Sequence, residues 1–325
     1  MIASRRTASA FVRLATSTTT KQAGRVARIA GANAASQYST LNRPELAGQR
    51  QQSRHQSTFM SQVAGMFSED TAPEEVTPDY LLEKFESSSS SPVVGNSVAD
   101  AMYSLYTADA VCFDVDSTVI NEEGIDVLAD FLGKGKEVAE LTAAAMEGGM
   151  KFEDALQARL DLLEPSRQEI LDCLEKHPLV LTPGIENLVK TLHSKNIDVF
   201  LVSGGFRIMI EPLADILNIP SDSHIYANTI FFQYGSEGKY AGFCKNEPTS
   251  QDMGKPKAVG LIQKDHPAYK TIVMVGDGAT DAQAKPPAKA FIGFGGVVER
   301  QPVKERADWF VTSFDDMTQI VEMRE

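Results

Sequence analysis

An α/β fold is predicted from this sequence: a doubly wound parallel sheet with an inserted small helical cap and a β-hairpin insertion. Three observations carry the expectation. From about residue 94 onward, short β-rich runs alternate with helical stretches, the pattern of a parallel sheet covered on both faces. One helical stretch, between the first two of these runs, is too long for a single crossover helix. The residues directly after successive runs are polar and acidic, and that is where an open parallel sheet binds ligands.

In chain order, residues 1–60 read as a basic, disordered transit peptide. Residues 1–58 hold nine Lys or Arg and a single acid, Glu45, so this segment is +8 and the rest of the chain −21. The leader is rich in Arg, Ser, Thr and Ala and lacks the apolar stretch of a secretory signal. It spaces Phe11 and Leu14 among Arg5, Arg6 and Arg13, as an amphipathic organelle address does. The mitochondrion is the expected destination, with a plastid as the alternative. Residues 61–93 read as an acidic, Ser-rich linker, with room for a short helix in the stretch Glu69 to Glu86 and with Ser87 to Ser91 running into Pro92.

The folded core is expected over residues 94–121 and 179–325. Val98, Met102 and Leu105 fall at helical spacing at its start, and strands are expected over Ala110 to Asp114, Asp198 to Ser203, Lys270 to Gly276, Ala288 to Ile292 and Asp308 to Val311. Residues 122–178 form the expected cap, because Leu141, Ala145, Phe152, Leu156, Leu160 and Leu163 recur at helical steps; the chain returns to the core at Leu181-Thr182-Pro183-Gly184. Ile225 to Phe243 read as a β-hairpin, with Tyr226, Phe231, Phe232, Tyr234 and Tyr240 flanking the turn Gly235-Ser236-Glu237-Gly238.

Composition excludes several classes of function. No apolar run approaches the roughly 20 residues that cross a bilayer, so no membrane partner is expected. The acidic body would repel a nucleic-acid backbone and carries no basic patch interleaved with aromatics. Cys112, Cys173 and Cys244 fall into neither a disulfide framework nor a metal-ligand pattern.

The chemistry lies at the strand ends. The first strand runs into Asp114-Val115-Asp116-Ser117-Thr118, the second into Ser203-Gly204-Gly205, and the third into Gly276-Asp277-Gly278-Ala279-Thr280-Asp281; Lys255 stands between the last two, in Gly254-Lys255-Pro256-Lys257. Carboxylates converging there suit a hard cation with oxygen ligands, and Mg2+ takes one or two carboxylates plus water and a phosphate oxygen. Asp114 and Asp277 are the expected side-chain ligands, with Asp116 completing the metal site; Asp281 either reaches the ion through water or braces the loop. A transferring phosphoryl group spreads negative charge over its oxygens. The ion, Lys255, the Ser203 hydroxyl and the amides of Gly204 and Gly205 can neutralise it together, helped by a helix beginning near Phe206. In the expected reaction Asp114 attacks phosphorus and Asp116, protonated at the start, gives its proton to the leaving oxygen.

Asp114-Val115-Asp116-Ser117-Thr118-Val119, Ser203, Lys255 and Gly276-Asp277-Gly278-Ala279-Thr280-Asp281 resemble the four ordered motifs of the haloacid-dehalogenase-like phosphatases. The stretches Glu122-Glu123-Gly124-Ile125-Asp126, Ala145-Met146-Glu147-Gly148, Leu181-Thr182-Pro183-Gly184, Ser203-Gly204-Gly205-Phe206 and Phe291-Ile292-Gly293-Phe294-Gly295-Gly296 are similar to the branch that hydrolyses phosphoserine. The resemblance spans nearly everything after Val98. It implies Mg2+-dependent hydrolysis of O-phospho-L-serine, the last step of the phosphorylated route to serine, through an aspartyl phosphate. It further implies that Glu123 and Arg159 contact the substrate's amino and carboxylate groups, that Met146 lines the pocket, that Thr280 lies near the phosphate, and that Lys255, or alternatively Lys257, binds phosphate. A homodimer is compatible with it. The alternatives are a relative acting on, or transferring, another small phosphate, and a non-catalytic scaffold.

Overall fold

The computed structural model describes residues 76–325 except 147–149 and 236–237, and of Met146 only the backbone. The basic leader, and with it the organelle address, lies outside the described residues. No helix among the described residues is long and apolar enough to cross a membrane.

The first described element is a helix, α1 (Pro78–Ser88), overlapping the acidic stretch where a short helix had room to form, but it is docked and not part of a free linker. Thr77 caps it by accepting from the Tyr80 amide, and proline opens it, where its missing N–H costs nothing. Leu81 and Phe85, one turn apart, are fully buried, and the Phe85 ring meets Trp309 edge-on at 5.6 Å. The serines that suggested flexibility make hydrogen bonds instead: Ser91 Oγ donates to Asp316 Oδ1 at 2.6 Å and Ser88 Oγ accepts from Gln319 Nε2. The folded body therefore includes residues 77–93, ahead of the expected start at 94. Two buried side chains in an acidic stretch are enough to dock it. Phe85→Ala should cost about 3–5 kcal/mol, the usual loss for emptying a buried aromatic site. Urea unfolding followed by circular dichroism measures it, and a loss below about 1 kcal/mol would mean that α1 is not part of the cooperative fold.

Helix α2 (Val98–Tyr106) leads into β1 (Ala110–Phe113). Four cap helices follow: α3 (Gly124–Phe131), α4 (Gly135–Met146), α5 (Phe152–Leu163) and α6 (Arg167–Lys176). The core resumes with α7 (Ile185–Ser194), β2 (Asp198–Phe206), α8 (Arg207–Ile216), the short α9 (Ser221–His224) and β3 (Ile225–Asn228). Strands β4 (Ile230–Phe232) and β5 (Tyr240–Phe243) precede α10 (Gly254–Asp265), β6 (Ile272–Gly276), the short α11 (Ala279–Ala282), β7 (Ala290–Phe294), α12 (Gln301–Arg306), β8 (Trp309–Val311) and α13 (Phe314–Glu322).

The sheet has six strands in the order β3-β2-β1-β6-β7-β8, and every pair in it is parallel. Alternate residues feed opposite faces. Val111, Phe113, Val199, Leu201, Val273 and Val275 join the cluster under α1, α2, α7 and α13, whereas Ala110, Cys112, Phe200, Val202, Ile272 and Met274 join the one under α10. Two-sided burial is why these strands read as unbroken apolar runs. One expectation needs correction. Ile225–Asn228 is not part of the hairpin but the edge strand of the main sheet, and the hairpin is formed by β4 and β5, which pair antiparallel.

The cap meets the core at a narrow neck, where an isolated bridge joins Ile120 to Leu181 and the Thr182 amide donates to Val119 O at 2.8 Å. Leu128, Leu156, Leu160, Leu163 and Ile170 form the cap's interior, into which Phe206 and Met209 of the core and Ile230 and Phe243 of the hairpin project.

Candidate active site

The carboxyl ends of β1, β2 and β6 and the underside of the cap enclose a cavity of about 260 Å³. Asp114 follows β1 directly, and its amide donates to Val275 O at 2.9 Å, which ties the start of the loop to β6. Asp114 and Asp116 keep extended backbone, and Ser117 then turns left-handed at φ 54, bending the chain back so that its hydroxyl donates to Glu123 Oε1 at 2.9 Å.

The structure brings the carboxylates of Asp114, Asp277 and Asp281 within 4.8 Å of one another, all buried. Lys255 is buried among them, its Nζ 2.8 Å from Asp114 Oδ2 and 2.5 Å from Asp281 Oδ1. Burial works against the charge on Lys255, but the two carboxylates outweigh it and hold the ammonium above the ordinary lysine range. Lys257 turns away, donating to Gln251 Oε1 and Asp252 O, so Lys255 is the lysine that faces the cavity. Asp281 also braces its loop, its Oδ2 accepting from the Gly278 amide at 2.9 Å.

Asp116, expected among the metal ligands, stands outside the acidic group. Its Oδ1 accepts from the Gly124 amide at 2.7 Å, at the cap's first helix, and its Oδ2 from Ser203 Oγ at 3.2 Å. The third carboxylate of the acidic group is that of Asp281. Burial first, and then the negative charges of Asp114 and Glu123, push the Asp116 carboxyl up to about 7. A side chain on Gly205 would begin 2.9 Å from Asp116 Oδ2, so the close approach of this peptide requires glycine.

The acidic group fits a divalent cation. Asp277 Oδ2 is buried without a hydrogen bond, although Arg300 Nη2 lies 3.1 Å from it. Burial first, and then the neighbouring Asp114, raise Asp277 to about 6 and raise Asp281 as well, although Lys255 beside both and Arg300 beside Asp277 work against the shift. Oxygen donors of this kind match a hard cation.

Glu123, Arg159, Gly204 and Thr280 also line the cavity. Arg159 is held by its own helix, its Nε donating to Ala155 O at 3.3 Å, and burial lowers its basicity while Asp126, Glu123 and Asp116 support its charge. The side chain of Met146 lies outside the described residues. Arg300, which the motifs do not mark, lies 3.6 Å from Glu123 Oε1 as well as beside Asp277. Its place in the loop after β7 is the signal that could have found it, since that is another strand end. Thr118, whose Oγ1 donates to Asp277 Oδ1 at 3.2 Å, lies inside the first motif and was passed over.

A family model described as a haloacid dehalogenase-like hydrolase matches residues 108–285. The chain belongs to this family. Among curated relatives, the phosphoserine phosphatase of Rattus norvegicus is 51% identical over 212 residues, 65% of this chain and 92% of that one. The chloroplastic phosphoserine phosphatase of Arabidopsis thaliana is 52% identical over 213 residues, 65% of this chain and 71% of that one. The chain's place within the family is thus among the phosphoserine phosphatases. A solved structure described as a phospho-aspartyl intermediate analogue of phosphoserine phosphatase matches with a TM-score of 0.55 and 27% identity, over 67% of this chain and 99% of that one. The solved DsGPDH of Dunaliella salina matches with a TM-score of 0.60 and 37% identity; the match covers 67% of this chain and 37% of that longer one.

Proposed function

We propose that this chain hydrolyses O-phospho-L-serine to L-serine and phosphate in a Mg2+-dependent reaction, the closing step of serine synthesis by the phosphorylated route. The observation that carries the reading is the division of labour between two carboxylates of one loop. Asp114 is paired with Lys255 at the acidic group, while Asp116 is turned to the cap and raised to about 7, so that it holds a proton near neutral pH. The substrate assignment is supported by the half-identical relatives and by Glu123 and Arg159 in the cavity wall, a carboxylate suited to an ammonium and a guanidinium suited to a carboxylate.

Asp114, Asp277 and Asp281 would hold the ion, whose charge, when bound, offsets that of the transferring phosphoryl group. The protein's own groups carry the remaining steps. Asp114 attacks phosphorus, the bond from phosphorus to the serine oxygen breaks, and Asp116 gives that oxygen its proton. Water then attacks the aspartyl phosphate, Asp116 takes the water's proton, and the bond to Asp114 breaks to release phosphate. Lys255 and the Gly204–Gly205 segment stabilise the phosphoryl oxygens throughout, and the cap limits the entry of bulk water.

Phosphate release by the full chain from a panel of small phosphomonoesters, with and without Mg2+ after chelation, tests the reading. The expected result is a strong preference for phosphoserine that chelation abolishes and Mg2+ restores. Activity on other esters alone would keep the chemistry and overturn the substrate, and product appearing on an added alcohol in place of phosphate would make the chain a phosphotransferase. The basic leader supports a mitochondrial location, with the chloroplastic relative as the reason to keep the plastid as the alternative; microscopy of a fluorescent fusion separates them.

A further inference from the structure

We infer that Asn228, with Thr249, is a positioning residue that aims the phosphate cradle at the reacting group, an assignment that rests on the phosphatase reading above. Strands β2 and β3 pair at Val202 with Tyr226 and next at Phe206 with Asn228, so Ser203, Gly204 and Gly205 stand opposite Ala227 alone. The ladder is broken where the cradle lies. A backbone carbonyl released from a ladder in a buried setting needs another donor. Asn228, fully buried at the end of β3, supplies one: its Nδ2 donates to Gly204 O at 2.7 Å.

That bond has a direct consequence for the chemistry. Gly204 C=O and Gly205 N–H belong to one planar peptide and point in opposite directions. Holding the carbonyl toward Asn228 therefore sends the Gly205 N–H to the cavity side, where it now meets Ser203 Oγ at 2.8 Å, beside Asp116. Glycine on both sides of this peptide leaves its rotation otherwise poorly restrained.

The other end of the carboxamide reaches a different half of the site. Thr249 Oγ1 donates to Asn228 Oδ1 at 3.0 Å, which fixes which way the amide faces, and Nδ2 also lies 3.5 Å from Thr249 O. Thr249 in turn packs on the residue before the catalytic lysine: a side chain on Gly254 would begin 2.4 Å from Pro248 O and 2.9 Å from Thr249 Cα. One buried carboxamide thus sets the spacing between the Gly204–Gly205 peptide and the turn that presents Lys255. Asn228 is fully buried and does not line the cavity, so its effect passes through these neighbours, whereas Thr249 also forms part of the cavity wall.

Asn228→Asp, which keeps the shape but places an oxygen against Gly204 O, should lower kcat about 10- to 100-fold, the range found when a partner behind a functional group is removed. It should weaken the affinity for inorganic phosphate, measured by calorimetry on the full chain, by a similar factor. A purely structural role would lower the melting temperature and leave phosphate affinity unchanged, and that result overturns the assignment. Thr249→Val should move kcat and phosphate affinity in the same direction, Thr249→Ser should restore both, and the double variant should be no worse than Asn228→Asp alone, because the two side chains act as one unit. If Asn228→Asp does not fold, Thr249→Val decides, and wild-type values for it refute the clamp. Wild-type protein run alongside keeps the questions apart: no phosphate release from it sinks the phosphatase reading, while the calorimetry still tests the clamp.

Discussion

Replacing Asp114 by Asn is expected to abolish phosphate release, with kcat falling by more than about 1,000-fold, as removal of a nucleophile does elsewhere. The change is isosteric, so the fold has no reason to respond. What changes is the chemistry of one oxygen. A carboxamide oxygen is a poor nucleophile and carries no charge, so Lys255 loses one of its two carboxylate partners and the acidic group loses a member. Rapid quenching with radiolabelled phosphoserine should give protein-bound label in the wild type and none in the variant. Retention of more than a few per cent of activity would refute Asp114 as the attacking group. Phosphate binding should survive at least in part, since Lys255 and the Gly204–Gly205 segment are untouched.

Arg159→Ala should separate recognition from catalysis. Among the described residues the terminal guanidinium nitrogens make no hydrogen bond or ion pair, yet the group lines the cavity and feels Asp126, Glu123 and Asp116. A charged fork held in a cavity, its terminal nitrogens unpaired among the described residues, is poised for an anionic ligand. Losing a bidentate, charge-assisted contact to the substrate carboxylate is worth about 3 kcal/mol, or roughly 100-fold in kcat/KM for phosphoserine. Hydrolysis of an aryl phosphate, which offers no such carboxylate, should change only a few-fold. Equal losses on the two substrates would assign Arg159 to the folding of the cap and not to recognition.

What the sequence made legible depended on how local each signal is. Strands buried on both faces announce themselves as apolar runs, and the acidic or glycine-rich residues after them mark the ligand end of the sheet without further information. That is why Asp114, Ser203 and Asp277 could be named before any geometry was known, whereas Lys255, in the first turn of α10, stands at no strand end. The signal failed where direction or distance decides. The side chain of Asp116 is turned to the Gly124 amide and Ser203, a direction that is not written in the spacing of the motif. Ile225–Asn228 shares its β-rich composition with the hairpin beside it, so nothing local separates the edge strand from its neighbour. Helix α1 is docked by Leu81 and Phe85 inside an otherwise acidic stretch, and an average over the window hides a pair. Arg300 and Asn228 act on residues far away in sequence, Glu123 and Gly204, and a reading along the chain has no access to such contacts.

The neck of the cap has a consequence for how such enzymes diversify. Where the chain leaves the core, at Ile120, and where it returns, at Leu181, the two segments lie side by side and hydrogen-bond to each other. An inserted segment whose ends meet can be lengthened, shortened or exchanged in one piece without tearing the sheet beneath it. The exchange is not free of conditions, because Phe206, Met209, Ile230 and Phe243 reach up from the core and hairpin into the cap's interior. A transplanted cap must bring an apolar face to cover those four side chains, and that requirement, more than the catalytic residues below, limits which recognition modules this body can accept.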